Sequence, residues 1–161
     1  DDTELAYLGV PWPSYISAAH SLGLSVIRLP CVEGYAFESP QFLDGHLARI
    51  VRDYTLKGKS VLAHCRGGIG RAGLVAASWM LKMGMVTTAK EGGRGGFGEE
   101  DTMEVVVKVI ELIRKRRSVK AIETAHQVHF LVQYVQYLQQ HATPVTASEL
   151  VSPLPSSSAI A

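Results

Sequence analysis

The chain has 161 residues, 47% of them hydrophobic, with sixteen basic and fifteen acidic side chains and a formal net charge of +1. That is room for one domain with a real core, and the balanced charge gives no general case for nucleic-acid or membrane binding. No apolar run approaches the roughly 20 residues that span a bilayer, and two cysteines do not make a disulfide framework. No secretory signal is evident, but the sequence opens at Asp1 with no Met, so a targeting segment ahead of it is left open.

Leu5 to Val10 is apolar enough for a short opening strand, which Pro11-Trp12-Pro13 breaks. Ser14 then caps a helix through about Leu22, with Tyr15, Ala18, Ala19 and Leu22 on one face and Gly23 as its stop. Leu24 to Leu29, β-branched at Val26 and Ile27, reads as a strand closed by Pro30. Cys31 to Pro40 has no period and carries Gly and Pro, so it is a loop leaving a strand's C-terminal end, where ligands gather in open α/β sheets.

Ser39-Pro40 is a cap followed by proline at the first helical position, and Leu43, Leu47, Ile50 and Tyr54 predict an amphipathic helix to about Leu56, ended by Lys57-Gly58. Ser60 to His64 is the next strand. Strand, helix and strand at this crossover length predict two parallel neighbours, which puts the 31–40 loop beside the segment after His64. The expected fold is therefore α/β, a mainly parallel central sheet flanked by helices.

Directly after His64 comes Cys65-Arg66-Gly67-Gly68-Ile69-Gly70-Arg71. Three glycines between the cysteine and the last arginine let consecutive backbone N–H groups turn inward around one point. The helix-forming run from Leu74 to Met83 stops at Gly84, so the positive end of its dipole aims into the same loop. A tetrahedral dianion would meet inward-facing amides, a helix N-terminus and one guanidinium able to bind two of its oxygens. The same positive surroundings favour the thiolate of Cys65, a nucleophile held under a bound phosphorus atom. His64 is better suited to orienting the loop than to transferring protons. A thiolate nucleophile needs a reducing compartment, hence an intracellular location, cytoplasmic or nuclear.

Between Met85 and Glu100 the Gly-Gly pairs make a loop without the Gly-Lys-hydroxyl ending of a nucleotide-binding loop, so it reads as a bare insertion. The next helix starts at Asp101, with Glu104 completing a capping box, and Val105, Val106, Val109, Ile110, Leu112 and Ile113 give it a wide apolar face. Arg114-Lys115-Arg116-Arg117 at its end reads as a solvated terminus, the alternative being a docking patch for acidic partners. Thr124 and Gln127 form a second capping box ahead of a helix with Val128, Leu131, Val132, Val135 and Leu138 as its core stripe. His126, His129 and His141 share no face with carboxylates or cysteines at ligand spacing, so no metal site is read. Residues 142–161, with Pro144, Pro153, Pro155 and Ser156-Ser157-Ser158, read as a tail.

The string HCRGGIGR at residues 64–71 resembles the His-Cys-five-residues-Arg signature loop of the protein tyrosine and dual-specificity phosphatases. The resemblance covers most of residues 5–141 and implies a phosphatase domain over 1–141. It implies metal-independent phosphomonoester hydrolysis through a phosphocysteine intermediate, by a protein phosphatase of the dual-specificity type, with no cofactor and on a phosphorylated protein substrate. Cys65 would attack phosphorus, while Arg71 and the loop from Arg66 through Gly67, Gly68, Ile69 and Gly70 would bind the phosphate oxygens.

These phosphatases carry an acid in the upstream loop, and the kinase-associated phosphatase and its relatives place an aspartate in a Pro-x-Asp-Gly-like turn. Glu33-Gly34 stands in the matching place, thirty-two residues before Cys65. Glu33 is thus the candidate general acid, with Glu38 and Asp44 as alternatives. Asp44 is otherwise an ordinary residue in the first turn of a helix. Ala72 departs from the usual Ser or Thr after the arginine, which implies a slower second step. Residues 122–127 look like the Ile-x-Thr-x-x-Gln segment of several relatives, in some of which a glutamine positions the hydrolytic water; Gln127 is the candidate here, but the dual-specificity members mostly manage without it and the capping box is a sufficient account.

Three other readings stay open. A phosphoinositide or inositol phosphate phosphatase would draw on Arg66. A pseudophosphatase that binds phosphoproteins fits Glu33 and Ala72, and a rhodanese-like sulfur transferase also uses a loop cysteine. Cys31 is a buried inert thiol or a redox partner of Cys65. The oligomeric state is not legible.

Overall fold

The computed structural model describes residues 2–86 and 99–141. Six α-helices occur among them: α1 (Asp2–Tyr7), α2 (Trp12–Ser21), α3 (Pro40–Asp53), α4 (Arg71–Lys82), α5 (Glu99–Arg116) and α6 (Ala125–His141). A single 3-10 turn at Thr55–Lys57 extends α3. Helices α4, α5 and α6 pack on one another, α3 lies against α6, and α1 lies against α2.

Each long helix forms where local chemistry and an apolar stripe agree. The Ser39 hydroxyl accepts from the Phe42 N–H at 3.1 Å and Pro40 occupies the first turn, so α3 starts where sequence predicts. Its Leu43, Leu47 and Ile50 are buried, and Gly58 closes the 3-10 turn. Helix α4 brings Leu74, Ala77 and Leu81 into the core, and α5 brings Val105, Val106, Val109, Ile110 and Ile113. Helix α6 adds Phe130, Leu131, Tyr134 and Val135.

A polar knot ties three of these helices. Asp44 Oδ1 on α3 accepts from Lys82 Nζ on α4 at 2.6 Å and from the Tyr134 hydroxyl on α6 at 2.8 Å. Burial, and then the bond to Asp44, push the Tyr134 phenol above its ordinary range.

The expected parallel sheet is not there: the described residues contain no strand. Leu24–Leu29 and Ser60–His64 are free of helix yet join no ladder. The physical reason is visible at Val61 and Leu62, which are 51% and 86% exposed. Together with Ala76, Trp79 and Ile113 they line a groove of about 650 Å³. β-branched composition disfavours helix, but a strand also needs a neighbour about 4.8 Å away to take its N–H and C=O groups.

Smaller expectations also change. Leu5–Val10 is not a strand, since its first three residues continue helix α1. Helix α2 begins at Trp12, before Ser14, and has no side-chain cap; Leu22 lies beyond its end and is exposed. Helix α5 begins at Glu99, so Asp101 is inside it, and Glu104 pairs with Lys108 rather than closing a capping box. The glycine-rich insertion and the 142–161 tail lie outside the described residues, apart from the insertion's ends. No helix among the described residues is long and apolar enough to cross a membrane.

Candidate phosphate-binding site

The loop from Cys65 to Gly70 runs straight into α4, whose N-terminus has no side-chain cap. The Gly68 backbone N–H donates to Cys65 Sγ at 3.2 Å, so the loop folds back over the sulfur. Gly68 has φ near +72°, and its carbonyl accepts from Arg117 Nε at 3.3 Å. Gly70 is closely approached: a Cβ there would displace the exposed Glu123 carboxylate and come within 3.1 Å of the buried Gln127 Nε2. Cys65 is half-buried and Arg71 buried.

Arg71 is the most heavily engaged side chain of the loop. Its Nη1 donates to Glu4 Oε2 at 2.5 Å and to the Cys31 carbonyl at 3.1 Å, and its Nη2 donates to Glu4 Oε1 at 2.6 Å. Those hydrogen bonds hold the Glu4 carboxyl down to about 2 and push the Arg71 guanidinium above its ordinary value.

Glu33 sits in a turn, with the Tyr35 N–H donating to the Val32 carbonyl at 3.1 Å and Gly34 third of the four residues with φ +79°. Thr124 Oγ1 donates to the Gly34 carbonyl at 2.8 Å and anchors the turn to the start of α6. Glu33 Oε2 accepts from Arg66 Nη1 at 3.3 Å. The 31–40 loop is therefore beside the Cys65 loop, joined through Arg66–Glu33 and Arg71–Cys31, although the parallel strand pairing from which the sequence predicts that neighbourhood does not form.

The alternative acids are placed differently. Asp44 is committed to Lys82 and Tyr134, which gives it a structural role between helices. Glu38 is exposed. His64 Nε2 is 2.7 Å from the Tyr15 hydroxyl, linking the loop's entry to α2. Gln127 is fully buried: its Oε1 accepts from the Glu123 N–H at 2.8 Å and its Nε2 donates to the Tyr35 carbonyl at 3.4 Å. Its backbone N–H meets Thr124 Oγ1 at 3.3 Å, half of the expected capping box. Cys31 is a buried free thiol pushed up by burial, its Sγ within 3.5 Å of the Val32, Tyr35 and Ala36 carbonyls.

Several supporting residues escape a reading of the sequence. Arg114, part of the expected solvated terminus, donates instead to the Ala121 and Ile122 carbonyls at 3.0 and 3.2 Å. These bonds hold Ile122 at φ +59°, a strained conformation for a β-branched residue. Its N–H in turn donates to the Ile69 carbonyl at 3.4 Å, so this turn braces the loop from behind. Only the basic run itself is a signal for Arg114 and Arg117; nothing in the spacing marks Glu4 or Ile122.

A cysteine under a glycine-rich loop, followed by an uncapped helix N-terminus whose first residue is a buried arginine, is an arrangement able to receive a tetrahedral oxyanion. The family described as the Swiss Army Knife protein, DSP-PTPase phosphatase domain (PTP-SAK) matches residues 21–131, and the chain belongs to it. The site thus lies within a phosphatase domain of the dual-specificity and tyrosine phosphatase superfamily. No curated protein matches the chain, and no solved structure does.

Proposed function

We propose that the domain hydrolyses phosphomonoesters of phosphorylated proteins through a phosphocysteine intermediate, in the dual-specificity manner. The observation that carries this reading is the Gly68 N–H donating to Cys65 Sγ inside a loop that ends on Arg71. In the first step Cys65 Sγ forms the bond to phosphorus as the ester oxygen leaves with its electron pair and takes a proton from Glu33. Loop amides from Arg66 to Gly70 and the Arg71 guanidinium hold the equatorial oxygens. In the second step water attacks phosphorus, Glu33 takes its proton back, and the thiolate leaves. Ala72 offers that thiolate no hydroxyl, so this step is the slower one.

In this reading His64 orients the loop through Tyr15, and Gln127 ties the start of α6 to the Tyr35 carbonyl of the Glu33 loop, with water positioning open to it only if it releases that carbonyl. The reading takes residues 1–141 as the domain and 142–161 as its tail.

A second reading has its own observation. The Glu33 carboxylate is paired with Arg66, and a phosphoprotein-binding pseudophosphatase is what remains if that pair does not open. Hydrolysis of a small aryl phosphate by the parent protein separates the two: turnover supports the enzyme, and phosphate-competitive binding without turnover supports the reader.

A further inference from the structure

Arg71 has five N–H donors, and its partners account for three of them. Both hydrogens of Nη1 are used, one on Glu4 Oε2 and one on the Cys31 carbonyl, and one hydrogen of Nη2 is used on Glu4 Oε1. What remains is the Nε–H and the second Nη2–H. These two are parallel and lie on one edge of the guanidinium, the edge that neither Glu4 nor Cys31 occupies. Such a pair matches two oxygens of one tetrahedral anion. Among the described residues, no hydrogen bond takes either of them.

We propose that Glu4 is a positioning residue for the phosphate site: by gripping the end of the Arg71 fork it fixes the plane of the guanidinium and presents the Nε/Nη2 edge to the bound phosphate. This inference rests on the phosphatase reading above. A carboxylate that merely plugged the site would compete for the edge that binds phosphate, whereas Glu4 takes the other one. The pair is well shielded, with side-chain exposures of 10% for Arg71 and 18% for Glu4, so the grip is dry enough to be directional. The Cys31 carbonyl adds the third fixed point, which ties Arg71's orientation to the loop that carries Glu33.

The test uses the full chain, an aryl phosphate for turnover and tungstate as the probe for oxyanion binding. Glu4→Ala lowers kcat/KM by about ten- to a hundredfold and weakens tungstate binding by roughly tenfold, the range expected when an anion clamp is no longer held in place. Added formate, a small carboxylate able to sit at the fork's end, restores several-fold of the lost rate in Glu4→Ala and does nothing for the parent. Glu4→Gln, which keeps the shape and one acceptor, falls in between and serves should Glu4→Ala fail to fold.

Unchanged or tighter tungstate binding in the variants overturns the proposal, because a plug or a bystander would behave that way. A loss of activity that formate leaves untouched also overturns it, since a purely structural role gives that pattern. If the parent itself neither binds tungstate nor turns over substrate, the phosphatase reading falls and takes this role with it; a competent parent with indifferent Glu4 variants defeats the positioning role alone.

Discussion

Glu33 Oε2 and Arg66 Nη1 meet at 3.3 Å, joining a turn residue to the one just after Cys65, thirty-three positions further on. Both side chains are more than half exposed, so water and salt screen the pair. Arg66→Ala should therefore change stability by no more than about 0.5 kcal/mol, read as the urea midpoint. It should raise KM for an aryl phosphate several-fold while sparing kcat, because Glu33 keeps its proton-transfer role and the loop loses only a cation. A collapse of kcat with KM unchanged would show that Arg66 acts in the chemical step.

Asp44 should behave in the opposite way. Its bonds to Lys82 and Tyr134 link α3, α4 and α6, and Asp44→Ala leaves a partly buried ammonium and a buried hydroxyl without their acceptor. We expect a loss of about 2–4 kcal/mol in equilibrium unfolding. Turnover per folded molecule should stay within about twofold of the parent. A selective loss of the acid-dependent rate would instead make Asp44 the proton donor.

Ser78 lies fully buried in α4, and its hydroxyl has no hydrogen-bond partner among the described residues. Ser78→Ala removes an unsatisfied polar atom and improves helix propensity, so it should be neutral or stabilising by up to about 1–2 kcal/mol. Thermal unfolding checks this. Marked destabilisation would mean that the hydroxyl is satisfied in solution.

The Glu4–Arg71 pair carries a pH signature whose sign is set by Glu4. Its carboxyl is held at about 2 in the folded chain against an ordinary 4.5, so the pair stabilises fully above pH 4.5 and loses that contribution as pH falls toward 2. Urea midpoints of the parent and of Glu4→Gln should differ most at neutral pH and converge as pH is lowered through this window. A difference that stays constant would mean that the carboxylate is not tied to Arg71.

Sequence reads best where the signal is local. Ser39, Pro40 and the Leu43, Leu47, Ile50 spacing carry the start and the buried stripe of α3, because cap, proline and stripe all act within a few turns, whereas its end falls at Asp53, short of the expected Leu56. The helix that follows the Cys65 glycines is legible for the same reason, its signals being contiguous. Non-local partners leave no such trace. Val61 and Leu62 have the composition of a strand, yet the decision to form one rests with a neighbour far along the chain, and none is placed there among the described residues. Glu4 and Arg71 are 67 residues apart, and no periodicity connects them. Arg117 reads as solvated because a charge run usually is; only the fold reveals the Gly68 carbonyl within its reach.

The proposed chemistry stands most directly on Cys65. The decisive measurement is metal-free hydrolysis of a small aryl phosphate from about pH 5 to 8, comparing the parent with Cys65→Ser and Glu33→Gln. A phosphocysteine route predicts turnover by the parent, none by Cys65→Ser, and loss of the acid-dependent part in Glu33→Gln. Turnover that survives Cys65→Ser would contradict it, because the sulfur beneath Gly68 would then not be the nucleophile.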